Sequence, residues 1–118
     1  MANNEAHNLL VREALEALAM AGYCCWKNET GVWFEYTIEK GKLKKGRPHA
    51  YGKTGSGDII GILAPNGRHM EFEAKTGTGR QRDNQKIHQE FCVEKNGGIY
   101  ILFRSVGELM TELEKYRI

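Results

Sequence analysis

The centre of the chain decides its fold: residues 58–75 read DIIGILAPNGRHMEFEAK. Two runs rich in β-branched and aromatic residues flank Asn66-Gly67, and this dipeptide is the strongest short-range signal for a β-hairpin. The pattern predicts one strand over 58–63 and a second over 69–75. The second strand alternates strictly, so its apolar side chains share one face and its charged side chains share the other. The charged face carries Glu71, Glu73 and Lys75.

The hairpin turn also predicts which residues face each other. With Asn66-Gly67 as the loop, Asp58 lies opposite Lys75 and Ile60 lies opposite Glu73. Asp58 and Glu73 then become diagonal neighbours on one face, with Cα atoms about 7–8 Å apart. Two carboxylates at that separation can share one divalent cation, and a lysine beside them can stabilise charge on a phosphate. The alternative is an ordinary amphipathic strand with a solvated outer face.

The other elements are predicted outward from this hairpin. Apolar periodicity predicts a first helix over 3–21, capped by Asn3 or Asn4, and two strands follow at 23–27 and 32–39. A Gly- and Lys-rich long loop is expected over 39–57. The C-terminal half contributes a helix over 83–95, a strand buried on both faces over 99–103, and a last helix that begins with the capping box Ser105-x-x-Glu108 and runs to about residue 116.

These elements predict a single α/β domain over residues 1–118, in the order α-β-β-β-α-β-α with an optional extra short strand near the start. In the helix over 83–95, Ile87, Phe91 and Cys92 lie on one broad side with His88 between them, and we expect this side to face the core, while Val93 falls off that stripe. Trp26 and Trp33 are also expected in the core, with stacking on nucleic-acid bases as the alternative.

Composition excludes several classes of protein. The chain has 118 residues, 41% hydrophobic and 27% charged, which is typical of a globular domain. No apolar run approaches the roughly 20 residues of a membrane span, and the N-terminus does not resemble a secretory signal. Three cysteines, two of them adjacent, show neither a disulfide framework nor the spacing of a zinc site. We therefore expect a protein of the reducing cytoplasm with no membrane partner.

Positive charge is concentrated in one segment. Residues 39–53 carry six basic residues and one acid, whereas the rest of the chain has eleven basic against fourteen acidic residues. Such a patch on a mildly acidic body is typical of contact with a phosphate backbone. A solvated, charge-rich loop is the alternative.

Two groups of residues resemble a known nuclease superfamily. Residues 57–61, GDIIG, followed by Glu73-Ala74-Lys75, resemble the Asp…Glu-x-Lys signature of the PD-(D/E)XK nucleases. Gly79-Arg80, Gln85 and the segment 97–105, GGIYILFRS, are similar to the VRR-NUC family, in particular to its small stand-alone bacteriophage members. The resemblance covers about residues 55–109. It implies a restriction-endonuclease-like αβββαβ core, with a central mixed sheet flanked by helices.

The resemblance also implies roles for individual residues. Asp58 and Glu73 would be metal ligands together with the backbone carbonyl of Ala74, and Lys75 would be the catalytic lysine. Gln85 would lie near the substrate phosphate. The remaining member of the catalytic set is Glu13, which would reach the metal through water, although an ordinary surface glutamate is equally compatible with its position.

The chain departs from the family at three places. Gly57 stands where proline is common, Arg82 stands where the helix cap is often Ser or Thr, and Phe103-Arg104-Ser105 replaces the triplet that gives the family its name. None of these changes removes a catalytic group.

The function implied is a Mg²⁺-dependent (or Mn²⁺-dependent), structure-selective DNA endonuclease. The small phage-type members suggest a homodimeric Holliday junction resolvase, located in the host cytoplasm if the chain is phage-encoded. Apolar residues for a dimer interface are available in 23–36 and 109–118, where ordinary core is the alternative. A repair or restriction-type nuclease acting on flaps or linear duplex, or a non-catalytic DNA-binding relative, are the other interpretations. The residues expected to contact DNA are Lys42, Lys44, Lys45, Arg47, Lys53, Arg80, Arg82 and Lys86.

Overall fold

The computed structural model describes residues 2–117, with side chains from residue 5 onward. The elements follow in this order: α1 (Ala2–Met20), β1 (Cys24–Lys27), β2 (Gly31–Glu39), β3 (Lys42–Tyr51), β4 (Ile59–Leu63), β5 (Arg68–Ala74), α2 (Asp83–Ile87), a π-helical segment (His88–Val93), a 3₁₀ turn (Glu94–Asn96), β6 (Ile99–Phe103) and α3 (Val106–Glu114). α1 begins at Ala2, so Asn3 and Asn4, expected to cap it, lie inside the helix, and their side chains are outside the described part of the chain.

Four strands form a mixed sheet in the order β1-β4-β5-β6. β4 runs antiparallel to both β1 and β5, and β6 runs parallel to β5. The apolar run predicted as a strand buried on both faces is β6, in which four of five residues are buried. The predicted α/β class with a mixed sheet is therefore confirmed.

The core lies between one face of this sheet and the helices α1 and α3. Every third or fourth residue of α1 is buried, at Val11, Ala14 and Leu18, and α3 adds Leu109 and Leu113. These side chains pack on the apolar face of β5, where Phe72 is completely buried. The residues after β5, which we call the α2–π segment (residues 83–96), cover the opposite face of β5 and β6. Helices on both faces explain why β5 and β6 carry few exposed side chains.

The prediction of a loop over 39–57 is wrong for most of that range, because residues 42–51 form β3. β2 and β3 pair with each other and form a separate two-stranded sheet, which we call the arm (residues 31–51). Lys40 and Gly41 connect the strands with φ of 52° and 77°, as a tight two-residue hairpin turn requires. Lysine, glycine and proline are poor strand formers, so the local pattern did not indicate a strand.

Cross-strand contacts hold the arm together. Trp33 stacks on His49 with ring centroids 4.4 Å apart, and the ammonium of Lys45 lies 3.7 Å from the centre of the Phe34 ring. Trp33 is nevertheless 53% exposed and Trp26 is 45% exposed, so the expectation that both belong to the core is wrong. The arm lies beside the four-stranded sheet, so Trp33 has no second layer to cover it.

The β4–β5 hairpin forms as predicted, but its register differs by two residues. Ile60 lies opposite Glu71 rather than Glu73, since four residues, 64–67, connect the strands. Side chains alternate with a period of two, so a shift of two residues leaves every side chain on its predicted face. Continued by one residue, the observed register puts Asp58 directly opposite Glu73.

The predicted helix over 83–95 forms, but of its predicted inner side only His88 is fully buried. Ile87 and Phe91 are 57% and 56% exposed and Cys92 is half-buried, whereas His88 and Val93 are buried. The cause is the π-helical segment. Its hydrogen bonds join residues five apart, and the wider turn places both position 88 and position 93 on the inner side. At α3, Ser105 Oγ accepts the Glu108 N–H at 3.1 Å, which confirms Ser105 as the cap. The reciprocal bond from the Ser105 N–H to the Glu108 side chain, which would complete the predicted capping box, is absent from this described helix start. That helix ends at Glu114, before the expected residue 116. Within residues 2–117, no helix is long and apolar enough to cross a bilayer.

Candidate active site

A cleft of about 980 Å³ opens where β5 ends and β4 begins. Its floor carries Asp58, which precedes β4, and Glu73 and Ala74, which close β5. The loop 75–79 and the start of α2 form one wall. The base of the arm, through Val32 and Ala50, forms another. The hairpin register thus brings the three predicted ligand positions to one place.

Hydrogen bonds fix both the backbone and the side chain of Asp58. Asn28 donates its backbone N–H to the Asp58 carbonyl and its side-chain amide to the Gly57 carbonyl, both at 2.8 Å. The carboxylate oxygen Oδ2 accepts the Ala74 N–H at 2.8 Å and lies 3.2 Å from Nε2 of His7. Every hydrogen bond and ion pair that the described residues make with this carboxylate goes to Oδ2, so Oδ1 remains for a ligand.

Glu73 is buried at 4% exposure, yet only one of its carboxylate oxygens is satisfied. Oε1 accepts the Gln85 side-chain N–H at 2.8 Å and lies 3.5 Å from Nζ of Lys75. Oε2 has no hydrogen-bond partner among residues 2–117. Burial, and then the nearby charge of Asp58, raises the pKa of Glu73 to about 7, and Lys75 only partly opposes this. An unsatisfied, desolvated oxygen beside a second carboxylate is a site that a cation would stabilise.

Gln85 links Lys75 to Glu73. Its Oε1 accepts from Nζ of Lys75 and from the backbone N–H of Arg82, both at 2.9 Å, while its amide nitrogen donates to Glu73. These contacts define the orientation of the buried amide. They also explain how α2 is capped at Arg82 without Ser or Thr: the Gln85 side chain accepts the N–H of the cap residue instead. Lys75, with an 11% exposed side chain, is therefore held beside the carboxylates.

Glu13 is not brought to this site. It is exposed and does not line the cleft, whereas the histidine six residues earlier in α1 does. His7 continues the buried stripe of Val11, Ala14 and Leu18 at steps of four, three and four residues. That spacing was the available signal for His7.

The predicted DNA-contacting residues fall into two groups. Arg82 lines the cleft, and Arg80 and Lys86 are exposed near the start of α2. The second group belongs to the arm and the residues just after it. It comprises Lys42, Lys44, Lys45, Arg47 and Lys53, all of them exposed. Within the arm, Lys44 pairs with Glu39 at 3.0 Å and Arg47 with Glu35 at 3.8 Å, so part of this positive charge is compensated locally.

Glu71 is the residue whose environment the sequence indicated least. The alternative of a solvated outer face does not hold for it, since Glu71 is only 3% exposed. Burial acts to raise its pKa, but the Gly57 N–H and the side chains of His69 and His88 outweigh burial and hold the pKa of Glu71 below its ordinary value. The carboxylate is therefore charged although it is buried.

Comparisons with known proteins identify no relative. No protein-family model matches this chain, and no curated protein is significantly similar to it. A function for the cleft therefore has to follow from the chemistry of its own residues.

Proposed function

We propose that the chain is a Mg²⁺- or Mn²⁺-dependent endodeoxyribonuclease whose active site is this cleft. The observation that carries the proposal is the unsatisfied Oε2 of Glu73, buried beside Asp58 with the Lys75 ammonium in contact. A buried carboxylate with an unused oxygen costs stability unless something supplies the missing partner. A divalent cation bound there would supply it.

The donor atoms fit a hard cation. Asp58, Glu73 and the Ala74 carbonyl offer only oxygen, which Mg²⁺ and Mn²⁺ prefer. Among the described residues, no three His, Cys, Asp or Glu side chains are grouped to hold a metal, so the protein would provide two carboxylates and a carbonyl, and water the rest. Mg²⁺ commonly keeps several waters in its protein sites. When bound, the ion would polarise a phosphate and acidify a water.

The chain's own residues account for the remaining chemistry. Hydrolysis adds a water oxygen to phosphorus as a P–O ester bond breaks, and negative charge develops on the phosphoryl oxygens. Nζ of Lys75, oriented by Gln85, can donate to that charge. Because Gln85 also donates to Glu73, it fixes the position of the lysine relative to that carboxylate.

The order of elements supports a restriction-endonuclease-like core. Without the arm, the chain runs α1-β1-β4-β5-α2-β6, which is the αβββαβ order of the proposed fold. The arm is then an insertion between the first two core strands. Its base lies in the wall of the cleft, so a duplex in the cleft would pass the basic residues of β3.

The substrate we propose is branched DNA, with a homodimer resolving a four-way junction. The basic residues of the arm and of α2 suit the phosphate backbone, which carries no sequence information. Opposed nicks in a junction need two sites, and a two-fold dimer supplies them.

A panel of linear, flap, fork and four-way DNAs tests the proposal, with Mg²⁺ for cleavage and Ca²⁺ for binding. Cleavage should fall by orders of magnitude in Asp58→Ala, Glu73→Ala and Lys75→Ala, while binding largely persists. Glu16→Gln, an exposed carboxylate on α1, is the matched control. Near wild-type cutting by Asp58→Ala or Glu73→Ala would contradict the site. Cutting confined to flaps or to one linear sequence would indicate a repair or restriction-type enzyme. Binding without cutting would indicate a non-catalytic relative.

A further inference from the structure

Glu71 lies outside the cleft, yet it contacts two segments that shape it. Its Oε1 accepts the Gly57 backbone N–H at 2.9 Å and the Nε2–H of His88 at 2.8 Å. Its Oε2 accepts from Nε2 of His69 at 2.6 Å. Three donors on one buried carboxylate form a nearly saturated cluster, and charge-assisted hydrogen bonds of this kind are among the strongest in proteins.

The first contact acts on Asp58. Gly57 immediately precedes it, and a Cβ on Gly57 would come within 2.9 Å of the Phe72 carbonyl oxygen, so only glycine allows this close approach to β5. Glycine is also the residue with the greatest backbone freedom. The Gly57 N–H held by Glu71 and the Gly57 carbonyl held by Asn28 together remove that freedom just before the ligand residue.

The second contact acts on Gln85. His88 follows Gln85 by one helical turn in the α2–π segment, and its Nε2–H binds the same oxygen that accepts from Gly57. His88 is 4% exposed. One carboxylate oxygen on β5 therefore ties the residue before Asp58 to the helical segment that carries Gln85, and through Gln85 to Lys75 and Glu73.

We propose that Glu71 is a positioning residue that holds the Asp58 side and the Gln85 side of the site in register for cation binding. The proposal rests on the proposed cation site and adds to it a residue that touches neither metal nor substrate. Proline, common at position 57 in the resembled family, would stiffen this backbone by its ring. In this chain Glu71 does so through a hydrogen bond that proline could not donate.

The test compares Mn²⁺ binding, measured by calorimetry, in three variants. Glu71→Ala removes the acceptor and should raise the Mn²⁺ Kd by roughly 10- to 100-fold, as is usual when a residue that orients a metal ligand is removed. Glu71→Gln keeps an oxygen for Gly57 and His88 and should restore most of that affinity. Glu90→Gln, an exposed carboxylate of the α2–π segment, should bind as the wild type does. A folded Glu71→Ala protein with wild-type Mn²⁺ affinity would overturn the proposal.

A second readout needs no metal. In ¹H–¹⁵N spectra of the metal-free protein, Glu71→Ala should shift the Gly57 and Asp58 amides and the Gln85 side-chain amide together, and unmoved Asp58 and Gln85 signals would overturn the proposal. If the wild type binds no Mn²⁺, the proposed function fails and these spectra alone decide the positioning role. If Glu71→Ala does not fold, His88→Ala replaces it. That variant removes only the hydrogen bond between Glu71 and the helical segment. An unmoved Gln85 signal would then count against the proposal.

Discussion

At the scale of single residues, the buried carboxylate of Glu73 sets the character of the site. It is buried at the floor of the cleft beside Asp58, and one of its oxygens has no partner among the described residues. A natural chain tolerates such a cost where a ligand removes it. Because this oxygen lacks a partner, a cation that binds to Glu73 is expected to stabilise the folded protein measurably.

Thermal unfolding should report that binding directly. Mn²⁺ at about 100 times its Kd stabilises a folded protein by about 2.7 kcal/mol, or roughly 10 °C for a domain of this size. Glu73→Gln removes both the buried charge and its repulsion with Asp58. We therefore expect this variant, without metal, to melt at or above the wild-type temperature and to show little Mn²⁺ shift. Glu16→Gln should keep the shift, and a full shift in Glu73→Gln would argue against the ligand assignment.

Gln85 allows a separate prediction about Lys75. Gln85→Leu keeps a similar size but removes the acceptor that holds the Lys75 ammonium and the donor to Glu73. We expect kcat to fall by roughly 10- to 100-fold with KM for DNA nearly unchanged, since these hydrogen bonds orient groups that act on the transition state. Steady-state cleavage rates over a range of DNA concentrations measure kcat and KM separately. A change confined to KM would instead place Gln85 in DNA binding.

At the scale of elements, the arm is an amphipathic two-stranded ribbon. One face carries Glu35, Glu39, Lys42 and Lys44, with both signs of charge paired across the strands. The other face is mainly apolar. Two-stranded hairpins are only marginally stable alone, so contacts with a ligand or partner are expected to add to the arm's stability.

The basic residues of the arm should contribute affinity without chemistry. The triple variant Lys42→Ala, Lys44→Ala and Lys45→Ala should weaken binding to every DNA of the panel by a similar factor. The slope of log K against log salt should fall by about 0.9 for each phosphate that the variant no longer neutralises. Fluorescence anisotropy from low to moderate salt measures both. Lys95→Ala, an exposed lysine at the end of the α2–π segment, is the control. An unchanged slope would show that these lysines are only solvated.

At the scale of the whole molecule, the arm contributes to an extended shape with a longest dimension of 61 Å. Its apolar face is exposed at Val32 (54%), Tyr36 (56%), Ile38 (78%) and Leu43 (72%). Lys45, the one charged residue on this face, already lies over Phe34. By contrast, the apolar residues Leu109 and Leu113, in the second segment considered for an interface, are buried in the core of the chain itself.

A second copy of this chain is the occupant we expect for the apolar face of the arm. Interface cores are depleted in charge, and Lys45 is the single charged side chain at the strand positions of this face, so two copies can meet about a two-fold axis with little like-charge contact. Light scattering at micromolar concentration should give a dimer. Ile38→Asp with Leu43→Lys should give a folded monomer that no longer makes paired nicks in a cruciform plasmid. Ile87→Lys, an exposed apolar residue away from the arm, is the control. If the wild type is a monomer, the proposed dimer is wrong, whereas the proposed nuclease chemistry is not affected by that result.

The amino-acid sequence by itself determined the parts that depend on neighbours along the chain. Asn66-Gly67 and the alternation on either side indicated the β4–β5 hairpin, the apolar run indicated β6, and Ser105 indicated the start of α3. The predicted grouping of Asp58, Glu73 and Lys75 survived an error of two residues in register, because a period of two returns each side chain to its face.

Only the tertiary structure decided the rest, because those features depend on contacts that a single helix or strand does not contain. The lysine-rich β3 is a strand because β2 offers it cross-strand partners, which outweigh its low intrinsic preference. The π-helical segment turns His88 inward to meet Glu71, and the packing of α1 on the sheet brings His7 to Asp58 while Glu13 stays in solvent. Local patterns report which face of an element is apolar, but burial of a charged group depends on whether distant donors come to meet it.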